Sequence, residues 1–227
     1  MKYEFRFYKE EYYDAMIELA RKSYAWDVPA VPVSRVEFAN TIIKEFNDSH
    51  SAGEKTIGCY FEDDKLVACT WNEACYDGEN MLIFDSKERA QEEELLLEMI
   101  KHVKTYGAGI KEDGRTREVT LLVPQWNRIL QKLLQQKDFQ ITDWKENINV
   151  LMFQEEPFEV NLPEGYTFAD GTQTPPEYLA NVHRHAFGYG ASRPAEYGHE
   201  AFCKMRQEKH YNPKLELCVL DAEKRPV

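Results

Sequence analysis

At 227 residues, with 43% hydrophobic and 13% aromatic side chains, the chain can bury a sizeable core and lacks the composition of a disordered one. Its formal net charge of −12 opposes a nucleic-acid partner, whose phosphates need a basic footprint; long-range steering would instead favour a small amine, although acidity is also an ordinary route to solubility. Five cysteines without a C-x-x-C pair, no apolar run long enough to span a bilayer and an N-terminus without a secretory apolar stretch predict the cytoplasm, reduced thiols and no membrane partner.

Tyr3 to Tyr8 alternates aromatic and polar residues, the period-2 mark of a strand. Glu10 to Ser23 carries Tyr13, Met16, Ile17 and Ala20 at helical spacing. After a proline-interrupted loop (28–33), Ser34 and Glu37 form a capping box for a helix to about Phe46. Two strands, Thr56 to Glu62 and Lys65 to Ala74, meet at Asp63-Asp64, and a third runs from Met81 to Phe84. The spacing then predicts a long helix from about Lys87 to Tyr106, with Leu95, Leu96, Met99, Ile100 and Val103 on its apolar face and Gly107 as its stop. A strand from Arg117 to Val123, a helix from Asn127 to Lys137, and strands at 139–142 and 148–153 complete the series.

A linker rich in proline and acid follows, and then the pattern starts again. A strand at Tyr166 to Ala169 leads to a helix capped by Thr174, a glycine-rich loop at 188–193, a helix from about Pro194 to Lys209 and a strand at Leu215 to Leu220. Cys218 and Lys224 stand in this last hairpin as Cys59 and Lys65 stand in the first, roughly 160 residues earlier, a domain-length offset. The expected fold class is α/β (α+β by some schemes), a mixed central sheet flanked by helices. It comprises one complete domain at 1–155, a linker at 156–165 and the first half of a second domain at 166–227.

The order strand, helix, helix, three-strand meander, long helix, strand, helix, strand pair resembles the GNAT superfamily of acyl-CoA-dependent N-acyltransferases. Asn127-x-x-Leu130-x-x-Leu133-Leu134-x-x-x-Asp138-Phe139 is similar to that family's penultimate helix, commonly N-x-x-A-x-x-L-Y-x-x-x-G-F. Tyr211-Asn-Pro213-Lys-Leu215-Glu-Leu217 is similar to the segment entering the second strand where two such domains stand in tandem. The resemblance implies transfer of an acetyl or other acyl group from acyl-CoA to an amine.

Departures from the family pattern fall on functional positions. The family's phosphate loop, Q/R-x-x-G-x-G/A, corresponds here to a stretch holding Asp85, Ser86, Lys87, Glu88, Arg89 and Ala90, without glycine and followed by Glu92, Glu93 and Glu94. Lys87 and Arg89 could grip a phosphate or merely offset neighbouring acids. The tyrosine that protonates the departing thiolate in the family is Leu134 here, and the glycine before the phenylalanine is Asp138. Residues 1–155 are therefore expected not to bind acetyl-CoA or another acyl-CoA, and the chain is expected to be inactive alone.

Analogy places an acceptor pocket near Tyr24, Trp26, Trp71 and Glu73, with Glu73 as an amine-binding carboxylate or an ordinary strand-end acid. His183-Arg-His185 lacks metal-ligand spacing, so no metal is expected; Gly188 to Arg193 follows a helix and not a strand, so it reads as a loop. A homodimer through the incomplete second domain is a further expectation. The competing expectation is a non-catalytic ligand-binding or protein-interaction module.

Overall fold

The computed structural model describes residues 2–24, 26, 36, 53–72, 78–111, 113–145, 159–188, 196 and 198–227. Two compact units, Met1–Val150 and Leu151–Val227, divide the chain. The expected helix from Ser34 to Phe46, the strand at 148–153 and the loop beyond Gly188 fall largely or wholly outside the described residues.

In the first unit, strands β1 (Glu4–Phe7), β2 (Gly58–Glu62), β3 (Lys65–Asn72), β4 (Glu79–Phe84) and β7 (Thr120–Leu121) form one sheet in the order β1-β2-β3-β4-β7. The first three pairings are antiparallel and the last is parallel. Asp63 and Asp64 both adopt positive φ (49° and 60°), the conformation that closes a two-residue hairpin with the right strand twist. The parallel pairing needs a crossover, supplied by helix α2 (Glu93–Tyr106).

Alternation along the strands divides the apolar side chains between two cores. On one face, helix α1 (Tyr13–Ser23) contributes Met16, Ile17, Leu19 and Ala20 against Cys59, Phe61, Cys69, Trp71 and Ile83. On the other, α2 and helix α3 (Arg128–Gln135) bury Leu95, Leu96, Met99, Ile100, Leu130, Leu133 and Leu134 over Tyr60, Ala68 and Phe84. A sheet covered by helices on both faces has two buried sides, which is why β3 is buried from Leu66 to Asn72.

Several boundaries differ from the sequence expectations. The long helix begins at Glu93, six residues later than expected, because 85–92 form a tight junction containing a 3-10 turn at Arg89–Gln91. Gly107 ends α2 at φ −90°, so it is not a left-handed cap. A Cβ there would lie 2.2 Å from Asn80 Oδ1, and close approach is what demands glycine. The expected strand 117–123 is two short pieces with different partners: β6 (Arg117–Glu118) pairs with β5 (Gly109–Ile110), and β7 pairs with β4. Thr120 N–H donates to Gly78 O and Leu122 N–H to Asn80 O; the next donor in this ladder would be residue 124, a proline without an N–H.

Residues 139–142 form no strand. Phe139 folds back instead. Asp138 takes φ 68°, Phe139 N–H donates to Leu134 O and Asp138 N–H to Gln135 O, the two bonds of a Schellman cap, while the Phe139 ring joins the α2/α3 core.

In the second unit, β8 (Thr167–Asp170) pairs antiparallel with β9 (Leu217–Leu220), and helices α4 (Pro176–Ala186) and α5 (His199–Met205) lie between them in sequence. Pro175, not Thr174, is the N-cap of α4; the Thr174 hydroxyl instead donates to Asp170 O. Helix α5 covers only part of the expected 194–209. Beyond a turn at Asp221–Arg225 the chain returns, with Val227 N–H donating to Val219 O.

Candidate functional site

The junction between β4 and α2 occupies the place where the resemblance puts a diphosphate. It is filled by the protein's own side chains. Arg89 donates from Nε to Asp85 (2.8 Å), from Nη2 to Glu62 (2.9 Å) and from Nη1 to the Tyr3 hydroxyl (2.8 Å). Tyr3 in turn donates to Glu92, and Lys2 reaches Glu62 at 3.4 Å and Glu92 at 3.3 Å. Burial alone would lower the Arg89 pKa, but the hydrogen bonds to Asp85 and Glu62 outweigh it and hold the guanidinium above its ordinary value. The same bond to Arg89 lowers the Glu62 carboxyl.

The backbone of the junction also turns inward. Arg89 N–H donates to Ser86 Oγ, Ala90 N–H to Ser86 O, Gln91 N–H to Glu88 O and Glu92 N–H to Arg89 O. Asn127, the N-cap of α3, accepts from Leu130 N–H and donates from Nδ2 to Ala90 O at 2.8 Å, tying the junction to the next helix. Ala90 is completely buried beneath it. A phosphate cradle needs several N–H groups aimed outward and positive potential at the helix start; here the N–H groups of Arg89 to Glu92 bond within the junction, and the acidic Glu93 and Glu94 occupy the first turn of α2. Lys87, the other candidate cation, lies over the Trp126 ring at 5.7 Å. The residues present do not fit a diphosphate.

Beside the junction lies a shallow depression of about 250 Å³ lined by Glu93, Arg128, Ile129, Lys132, Leu133 and Gln136, smaller than the roughly 300–1,000 Å³ of a small-molecule cleft. Leu134 is buried in the α2/α3 core, where it is a packing residue with no proton to give.

The expected acceptor pocket does not assemble from its described members. Trp71 is 0% exposed in the α1-side core, whereas Trp26 packs on the opposite core with its ring edge-to-face against Trp126 at 5.8 Å. Tyr24 is 39% exposed, and Glu73 lies outside the described residues. Spacing in sequence could not reveal that Trp26 and Trp71 serve opposite faces of one sheet.

Two buried polar groups escaped sequence reasoning. His102, on α2, is enclosed by Phe5, Phe7 and Tyr106. Its Nε2 lies 2.9 Å from Lys55 O, which can only accept, so Nε2 carries the proton and Nδ1 accepts from Thr70 Oγ1 at 2.8 Å. Thr70 Oγ1 accepts in turn from Gly58 N–H at 2.7 Å. Every partner is satisfied by a neutral ring, and burial pulls its pKa down to about 4. The second group is Asn72 with Asn80, both 0% exposed; Asn80 Nδ2 donates to Gly107 O and Gly78 O and Asn72 Nδ2 to Asn80 Oδ1, joining β3 and β4 to the end of α2. The only sequence signal for either was a polar residue interrupting an apolar periodicity.

In the second unit, Glu216 accepts from Arg206 Nε and Nη2 and from the Tyr211 hydroxyl, while Arg206 Nη1 donates to Thr174 O at 2.7 Å. His183 stacks against Phe187 at 4.5 Å, and no cluster of three metal-ligating side chains occurs among the described residues. None of the described helices is long and apolar enough to cross a membrane. No protein-family model matches the chain, and a search of curated proteins returns no significant match.

Proposed function

We propose that the first unit is a GNAT-type scaffold without a cofactor site, serving structure or acceptor binding within a tandem N-acyltransferase. In such an enzyme acyl-CoA supplies an activated thioester for transfer to an amine, and the second domain would hold it. Support comes from the element order, the meander β2–β4, and the helical crossover into the parallel β4/β7 pair. One observation carries the reading: Arg89 is held by Asp85 and Glu62 at the position where an acyltransferase of this type would receive a diphosphate.

This predicts no thermal stabilisation of the first unit's transition by millimolar acetyl-CoA, and no transfer of labelled acetyl groups to amines by residues 1–155. A clear rise in melting temperature with acetyl-CoA, lost in Arg89→Ala, would overturn it. The same plugged junction favours a second reading, a non-catalytic module that holds a small amine or a partner protein. Stabilisation by an amine in the absence of acyl-CoA, in the 227-residue chain, separates the two.

A further inference from the structure

Cys59 and Cys69 face each other across the β2–β3 ladder as direct register partners, and both are free thiols. Hydrogen-bond directions define the kind of pair they form. Ile57 O accepts from Tyr8 N–H of the chain leaving β1, and Gly58 N–H points the other way, to Thr70 of β3. Alternation then turns the N–H and C=O of Cys59 back toward β1, where its partner is Arg6. The pair is therefore non-hydrogen-bonded, the type in which Cα atoms approach to about 4.5 Å and side chains lie closest. That separation falls within the roughly 4.4–6.8 Å range a disulfide spans. Both side chains join the α1-side core, and both are 0% exposed.

We infer that Cys59 and Cys69 form an oxidisable dithiol that closes to a cross-strand disulfide when the protein meets hydrogen peroxide. This inference does not depend on the acyltransferase reading. One sulfur attacks the O–O bond of the peroxide: an S–O bond forms, and hydroxide leaves and takes the thiol proton as water. The facing sulfur then attacks the sulfenic sulfur, forming S–S and breaking S–O; the second hydroxide leaves with the second thiol's proton, again as water. Two thiols lose two electrons, and one peroxide becomes two waters.

Burial sets the rate and the selectivity. It pushes the Cys59 thiol up to about 12 and raises Cys69 as well, so reaction is slow. Bulky disulfide oxidants have no path to a fully buried sulfur, whereas a neutral oxidant little larger than water needs only small openings. Once one sulfur is oxidised, the other lies opposite and closes the bridge before further oxidation.

The test treats the whole chain with hydrogen peroxide until Cys203, which is half-buried, is oxidised. The reaction is then quenched, the protein unfolded, remaining thiols alkylated and peptides mapped by mass spectrometry. The expected product is a Cys59–Cys69 cross-link, lighter by two hydrogens and reopened by a thiol reductant. Its yield should exceed that of the same treatment in denaturant, and in Cys69→Ala the remaining Cys59 should proceed to sulfinic acid. Cys59 and Cys69 still alkylatable once Cys203 has reacted, separate sulfinic acids on both, or an equal cross-link yield in denaturant would each overturn the inference.

Discussion

The two units open alike and are held together differently. In each, a four-residue strand is followed by helical segments and then paired antiparallel with a second strand, Arg6 opposite Cys59 in one and Ala169 opposite Cys218 in the other. Strand β2 is buried along nearly its whole length, because β1 and β3 flank it and helices cover both faces. Strand β9 buries Cys218 and Leu220 but leaves Leu217 62% exposed. Among the described residues, the first unit has two apolar cores and the second a small apolar cluster beside the Arg206–Glu216 pair. A shared opening pattern therefore does not secure shared energetics, since burial depends on the layers that later elements supply.

The largest effect that would break this comparison is expected in the first unit. Trp71→Ala should cost about 3–5 kcal/mol in denaturant unfolding, against within about 0.5 kcal/mol for Leu217→Ala. Equal effects would show that β3, which carries Trp71, and β9 are buried alike in solution. Next, Arg206→Ala should destabilise the second unit by about 3 kcal/mol, since it removes the cation paired with the largely buried Glu216 carboxylate and leaves it the Tyr211 hydroxyl alone among its described partners. Double replacement of Arg206 and Glu216 by Met and Leu should recover most of that loss, read from the second unit's own melting transition.

His102 sharpens the contrast through pH. Its folded-state pKa of about 4 lies below the ordinary 6.5, so the unfolded chain binds the extra proton between those values. The neutral ring's contribution is complete above about pH 6.5 and is lost as pH falls toward 4, at about 1.4 kcal/mol per pH unit, or roughly 3 kcal/mol in all. Urea titrations at several pH values should show this slope in the first unit, and His102→Gln should flatten it. A smaller effect than that of His102 is expected at Asp138, an L-residue in left-handed backbone; Asp138→Gly should raise the first unit's stability by about 0.5–1 kcal/mol in the same titrations.

The apolar stripe of α2, the hairpin at Asp63-Asp64 and the helix that begins at Asn127 could be read from residue order alone, because each is decided within one or two turns of chain. The absence of glycine between Phe84 and Glu94, a departure from the family's loop pattern, is likewise legible in residue order alone. Other features required distant partners. Arg89 could be named as a cation, but only folding brings Tyr3 and Glu62 to it, and so decides that it is occupied. The late start of α2, the splitting of 117–123 between two partners, the return of Phe139 to the core and the separation of Trp26 from Trp71 are tertiary outcomes of the same kind. The reason is physical: local sequence sets backbone preference and periodicity, whereas occupancy of a charge and the face a side chain buries depend on residues tens of positions away.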